Sequence, residues 1–288
     1  MGRGQTTLFV ITGIVSLIII IFLLNLNSSK EKQDLKSNNE EILESRATQI
    51  NAIVEQCMEL AAEKGVFEKL AMHGGYIETE YNETYGQYEK IDSFAFIREN
   101  VPYWYDEGKM NIPTIEKIEQ NLGKYVLVEA EKCMDFSDIE KTGVKITKPV
   151  YDYIRNHFDF SDSGIKINVS MNYEDVSVKL EYPIKLEVDK KSKIISEFSA
   201  KIPVNFLRDY ETGMLVLEDS LKEQPEWFDI GYNCTRYTNN GLTNIYYKNN
   251  RIMQVFDYET FYSKYKKTLR FQFAVNGINA IGFCPVVE

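Results

Sequence analysis

The feature that most restricts this chain is an uninterrupted apolar run close to its start. Leu8–Leu24 (LFVITGIVSLIIIIFLL) carries no charge, and only Thr12, Gly13 and Ser16 in it are not hydrophobic. Widened to Thr6–Leu26, a helix rising about 1.5 Å per residue would be about 31 Å long, matching a hydrocarbon layer of roughly 30 Å. A cleavable secretory signal has an apolar core of about 7–15 residues followed by small residues at the cut. Here the run ends in Asn25-Leu26-Asn27-Ser28-Ser29 instead. Residues 1–29 therefore read as a signal anchor that stays in the membrane, with the lipid bilayer as the partner of Thr6–Leu26. The flanking charges do not orient it, because Arg3 and the terminal amine stand against Lys30, Lys32 and Lys36.

Charge and histidine content exclude several classes of function. The 288 residues hold 33 Lys and Arg against 43 Asp and Glu, a formal net charge of −10. Phosphate backbones are bound by clustered cations, so nucleic acid is not the expected partner. The only histidines are His73 and His157, too few for a multi-histidine metal site within one chain. Nothing in the sequence calls for a cofactor.

The four cysteines, Cys57, Cys133, Cys234 and Cys284, show no C-x-x-C spacing, which removes zinc-ribbon and thioredoxin-type readings. Cys57 continues a seven-residue recurrence, Leu43-Ile50-Cys57, beside Ala47-Val54-Ala61. Cys133 closes a second helical pattern through Ile115, Ile118, Leu122 and Val126. Both cysteines thus lie on apolar helix faces, and packing the helices together would bring the sulfurs into bonding range. Cys234 and Cys284 form a second candidate pair in the C-terminal quarter. The alternative is four thiols acting as small core hydrophobes. Disulfides would put the folded part in an oxidising exterior. The N-x-[S/T] triplets at Asn27, Asn82, Asn168 and Asn233 are candidate glycosylation sites compatible with export, although such triplets arise by chance in an Asn-rich chain.

The spacing along the chain predicts an α+β fold: the transmembrane helix, two long helices, then an antiparallel, sheet-containing exterior unit. Ser37-Asn38-Asn39-Glu40 has capping-box spacing, which starts a helix that runs to about Met72 and stops at His73-Gly74-Gly75. Residues 76–112 are rich in aromatics and turn formers and read as irregular structure with short extended pieces. Pro113 opens the second helix, which ends near Cys133. Ile165–Met171, Val176–Val188 and Lys193–Ile202 then alternate as an antiparallel meander. Val204–Leu221 returns to helical spacing, and Thr243–Tyr247 with Ile252–Phe256 make a hairpin before a strand at Leu269–Val275. Three stretches follow: the anchor at 1–29, a helical membrane-proximal region with an aromatic loop at 30–140, and a β-rich α+β region at 141–288.

Arg3-Gly4-Gln5-Thr6-Thr7-Leu8-Phe9 resembles the class III signal of archaeal type IV pilin-like proteins. The resemblance implies cleavage between Gly4 and Gln5, a retained hydrophobic helix and an outward-facing remainder. Filament-forming pilins carry Glu at the fifth mature position, where this chain has Phe9, so the resemblance weighs against polymerisation. The rest of the chain, notably Met72-His73-Gly74-Gly75-Tyr76-Ile77 and Val101-Pro102-Tyr103-Trp104-Tyr105-Asp106-Glu107-Gly108-Lys109, is similar to uncharacterised membrane-anchored proteins of small-genome archaea. That similarity brings no activity with it.

Candidate sites are sparse. His73 with Cys57 lacks the elbow and oxyanion loop of a nucleophile pair. Asp159-Phe160-Ser161-Asp162-Ser163-Gly164 lacks EF-hand register and reads as an Asx-type turn. The consecutive Tyr103-Trp104-Tyr105 is the candidate contact surface, weighed against ordinary packing. Successive residues of an extended segment face opposite ways, so they cannot all be buried on one side. The expectation is a single-pass, exterior-facing envelope protein with a structural or interaction role toward a cell-surface protein or glycan, not an enzyme. A membrane-anchored extracellular hydrolase and a minor pilin or filament subunit are the alternatives.

Overall fold

The computed structural model describes residues 39–80, 90–96, 99–149, 164–221, 240–247, 250–262 and 267–277. Several sequence expectations lie outside them: the Thr6–Leu26 span, Gly4–Gln5, the Asp159–Ser163 loop, Cys234 and Cys284, and the triplets at Asn27, Asn82 and Asn233. No helix among the described residues is long and apolar enough to cross a membrane.

Two long helices form the first layer. The first runs over 39–64 and continues as a π-helical turn, Gly65–Leu70, together α1. Its seven-residue recurrence faces inward: Leu43, Ala47, Ile50, Val54, Cys57 and Ala61 are all buried. The second helix, α2 (Ile115–Cys133), starts two residues after Pro113, because the side chain of Thr114 accepts the Lys117 N–H and caps it. The helices touch closely at Gly65, where a Cβ would stand 2.5 Å from Leu122 Cδ1 and 3.0 Å from Tyr125 Cδ1. A disulfide joins Cys57 to Cys133 with the Cα atoms 5.6 Å apart, so the two heptad faces do meet at the cysteines. A short α3 (Ser137–Glu140) follows α2.

The helices cover one face of a sheet centred on β6 (Val176–Val188). One edge of β6 pairs with two strands in tandem, β5 (Lys166–Met171) and β4 (Lys145–Thr147); the other pairs with β7 (Lys191–Ile202). Pro183, with no N–H to donate, falls in the gap between the tandem strands, where the β6–β7 register also shifts. Val176, Val178, Leu180, Tyr182, Ile184 and Leu186 point to the helices and are buried. Helix α1 runs in the same direction as β7. Asn39 donates to Asp189, Glu40 pairs with Lys191, Glu44 pairs with Lys193, and Glu55 Oε1 accepts the Ser199 N–H at 3.4 Å. Four helical residues advance about 6 Å and two strand residues about 6.6 Å, so the contacts stay in step at the start of the helix.

The second sheet has the order β1 (Ser93–Phe96), β2 (Glu99–Asp106), β10 (Lys267–Asn276), β9 (Asn250–Tyr262), β8 (Asn240–Tyr247), and β3 (Lys109–Met110) pairs with β2. Helix α4 (Phe206–Ser220) packs on β9 and β10. Two expectations are corrected here. Residues 76–112 hold a full-length strand, β2, besides the short extended pieces β1 and β3, and the sheet-containing part is not wholly antiparallel, because β2 joins β10 in parallel. That pairing crosses residue 140, and one continuous core runs from Leu43 to Val275, so residues 30–140 and 141–288 share both a sheet and a core. The local pattern hid β2 because its partner strand is remote in sequence. The β2–β3 turn is made by Glu107 and Gly108, which take φ of 43° and 102°, the positive values a two-residue hairpin requires.

Gly65→Ala will force Leu122 or the α1 backbone to shift, and should cost about 1–3 kcal/mol in urea unfolding. An unchanged midpoint would show that the helices are not in contact there.

Candidate functional site

Strand β2 divides the consecutive aromatics between its two faces. Trp104 is fully buried. Its ring stacks on Phe273 at 4.1 Å and meets Tyr210 and Phe271 edge-on, each at 5.4 Å, while Nε1 donates to the Gly74 carbonyl at 2.8 Å. Gly74 takes φ +57° with its Cβ position 2.9 Å from that same Nε1, so conformation and space both demand glycine. Trp104 is thus a core residue, and the contact-surface reading narrows to the half-buried Tyr103 and Tyr105.

Two phenols complete this joint. The Tyr76 hydroxyl donates to the Asn111 carbonyl at 2.8 Å, and the Tyr210 hydroxyl donates to the Pro113 carbonyl at 2.7 Å. Burial, with Tyr210 close by, pushes Tyr76 up to about 12; burial, with Glu211 close by, does the same to Tyr210. Both remain neutral donors across the physiological range. Beside them Gln272 takes the Ala71 carbonyl through its backbone N–H and the Met72 carbonyl through Nε2, and accepts Gln254 Nε2.

Other chemically suggestive groups are structural. Cys57 is bonded to Cys133, and His73 Nδ1 lies 3.3 Å from the Ile77 carbonyl, so they form no nucleophile–base couple. The fully buried Asp257 takes Asn205 Nδ2 at 2.9 Å and Arg208 Nη2 at 3.4 Å, which fastens the first turn of α4 to β9. Among the described residues no group of three or more His, Cys, Asp or Glu is placed to hold a metal ion.

The remaining candidate is the solvent face of β5–β6–β7. A half-open groove of about 520 Å³ is lined by Lys166, Asn168, Lys179, Glu181, Glu197 and Ser199, with Leu180 and Phe198 at its floor. Leu180 and Phe198 are themselves buried from below, so the walls are polar. Strand register sets two rows: Asn168, Lys179 and Ser199 lie opposite one another, as do Lys166, Glu181 and Glu197. Asn168, the one described residue of the four candidate glycosylation sites, is exposed in the upper row. Lys166 pairs with Glu181 at 3.1 Å. Further along the face Lys145 and Lys185 both pair with Glu187, and Lys201 pairs with Asp175. Sequence reasoning passed over the groove because only strand register brings these residues together; the alternating Lys and Glu of β6 were its one visible sign.

The chain matches no family model, no curated protein and no solved structure.

Asp175 is held below the usual carboxylate range, first by the hydrogen bond from Lys201 and also by Asn172 and Ser177. A lowered folded pKa adds stability that is complete above the unfolded value of about 4 and is lost as pH falls through the folded value. Asp175→Asn should therefore lower stability at neutral pH and flatten its fall in acid, read from urea midpoints across that range. Equal acid slopes in the two proteins would show that Asp175 does not contribute.

Proposed function

We propose that this is a single-pass, membrane-anchored envelope protein whose folded part lies outside the cytosol and serves a structural or binding role. The observation that carries this reading is the disulfide between Cys57 and Cys133. Such bonds persist in oxidising compartments and are rare in the cytosol. The apolar Thr6–Leu26 run and the pilin-like Arg3-Gly4-Gln5 motif support the same topology, with cleavage between Gly4 and Gln5 leaving the helix in the bilayer.

In mechanism, the Thr6–Leu26 helix holds the chain in lipid and α1 carries the fold away from it. The α1–α2 cross-link stiffens the membrane-proximal part. The half-buried Tyr103 and Tyr105 and the solvent face of β5–β6–β7 are the surfaces offered to a cell-surface protein or glycan.

A second reading, an anchored extracellular hydrolase, has one observation in its favour. Glu181 and Glu197 are cross-strand partners, so two carboxylates converge in the groove. The Lys166 ion pair on Glu181 and the open sheet face weigh against it, because catalytic carboxylates work at set separation in a water-excluding site.

Peptide mapping of protein extracted from native membranes, without reductant and with thiols blocked, should recover Cys57 and Cys133 linked, and protease added to intact cells should digest the folded part. Free thiols at both positions, or full protection from protease, would overturn the assignment. Closing a loop across 76 residues should contribute about 4.5 kcal/mol in the chain-entropy account. The paired Cys57→Ala and Cys133→Ala variant should accordingly unfold at markedly lower urea.

A further inference from the structure

We infer that the groove on β5–β6–β7 binds a small zwitterion whose ammonium and carboxylate stand about 7 Å apart, the chemistry of a short peptide with free ends. The starting observation is a charge imbalance. The other charged side chains along β5 and β6 that face solvent are paired, Lys166 with Glu181 and Lys145 and Lys185 with Glu187, and Lys201 of β7 pairs with Asp175. Lys179 and Glu197, in the groove itself, make no ion pair or hydrogen bond among the described residues.

Their surroundings differ in a way that specifies a ligand. Lys179 is flanked across both strands by Asn168 and Ser199. An ammonium, an amide and a hydroxyl in one row can all donate, which suits a carboxylate. Glu197 faces Glu181 directly across β6–β7. Lys166 neutralises Glu181 from the other side, so the row of Lys166, Glu181 and Glu197 keeps one net negative charge, and an ammonium at Glu197 would balance it. The two rows are separated by two residues along the strand, about 6.6–6.8 Å. An extended dipeptide, at up to about 3.3–3.6 Å per residue, spans that distance between its charged ends. Among the described residues that line the groove the one aromatic is Phe198, which is buried at its floor, so they offer no exposed ring for sugar stacking. The inference goes beyond the envelope assignment and does not depend on where the protein sits.

The test uses the full chain in detergent, titrated with alanyl-alanine and read by calorimetry. N-acetyl-alanyl-alanine, alanyl-alanine amide and glycine, whose charges are closer together, serve as comparison ligands. Alanyl-alanine should bind, and blocking either end or shortening the span should weaken binding about tenfold or more, roughly one decade per lost charge contact. Lys179→Met should abolish the preference for a free carboxylate, and Glu197→Gln the preference for a free amine. Glu187→Gln, outside the groove, should change neither. Absence of heat with alanyl-alanine, or equal binding of the blocked peptides, would overturn the proposal. A failure here leaves the disulfide mapping untouched, so the two readings stand or fall separately.

Discussion

Helix α1 is the member on which the other elements are assembled, and it is held differently along its length. At its start, exposed contacts with Asp189 of the β6–β7 turn and with Lys191 and Lys193 of β7 align helix and strand. Exposed ion pairs of this kind contribute about 0–1 kcal/mol each, so they set direction more than stability. Further along, the recurrence from Leu43 to Ala61 buries apolar surface, where a fully buried Leu, Ile or Val side chain is worth about 1.5–3 kcal/mol. At Gly65 the approach to α2 is too close for a side chain. At the far end the turn over 71–75 is locked to β10 and to Trp104.

That last junction explains why Trp104, the middle of the three consecutive aromatics, is not a surface residue. Trp104 stands where the α1 turn, β2, β10 and α4 converge, and its indole N–H has one buried partner, the Gly74 carbonyl. The aromatic character of this region therefore reflects a joint between layers. Charged chemistry is instead displayed on the opposite sheet, where Lys179 and Glu197 have no partner among the described residues.

Elements whose evidence is local were legible. The heptads of α1 and α2 placed Cys57 and Cys133 on facing surfaces, and the alternation of β6 produced a strand with the bounds expected of it, Val176–Val188. The turns at Asn172–Asp175 and Asp189–Ser192 were signalled by their own residues. Strand β2 was not, because its alternation is interrupted by Pro102 and its parallel partner lies at the other end of the chain. The π-helical end of α1 was also hidden: Gly65–Leu70 adjusts to α2, which no spacing within α1 records.

By itself the sequence determined the anchor-length apolar run, the helical faces, the meander strands and the cysteines able to meet, since each follows from periodicity within a few turns or strands. Tertiary structure alone decided that β2 belongs with β10, that Trp104 is interior, and that six polar side chains from three strands line one groove. Those outcomes depend on register and on contacts between residues far apart along the chain, and one-dimensional periodicity carries no information about either.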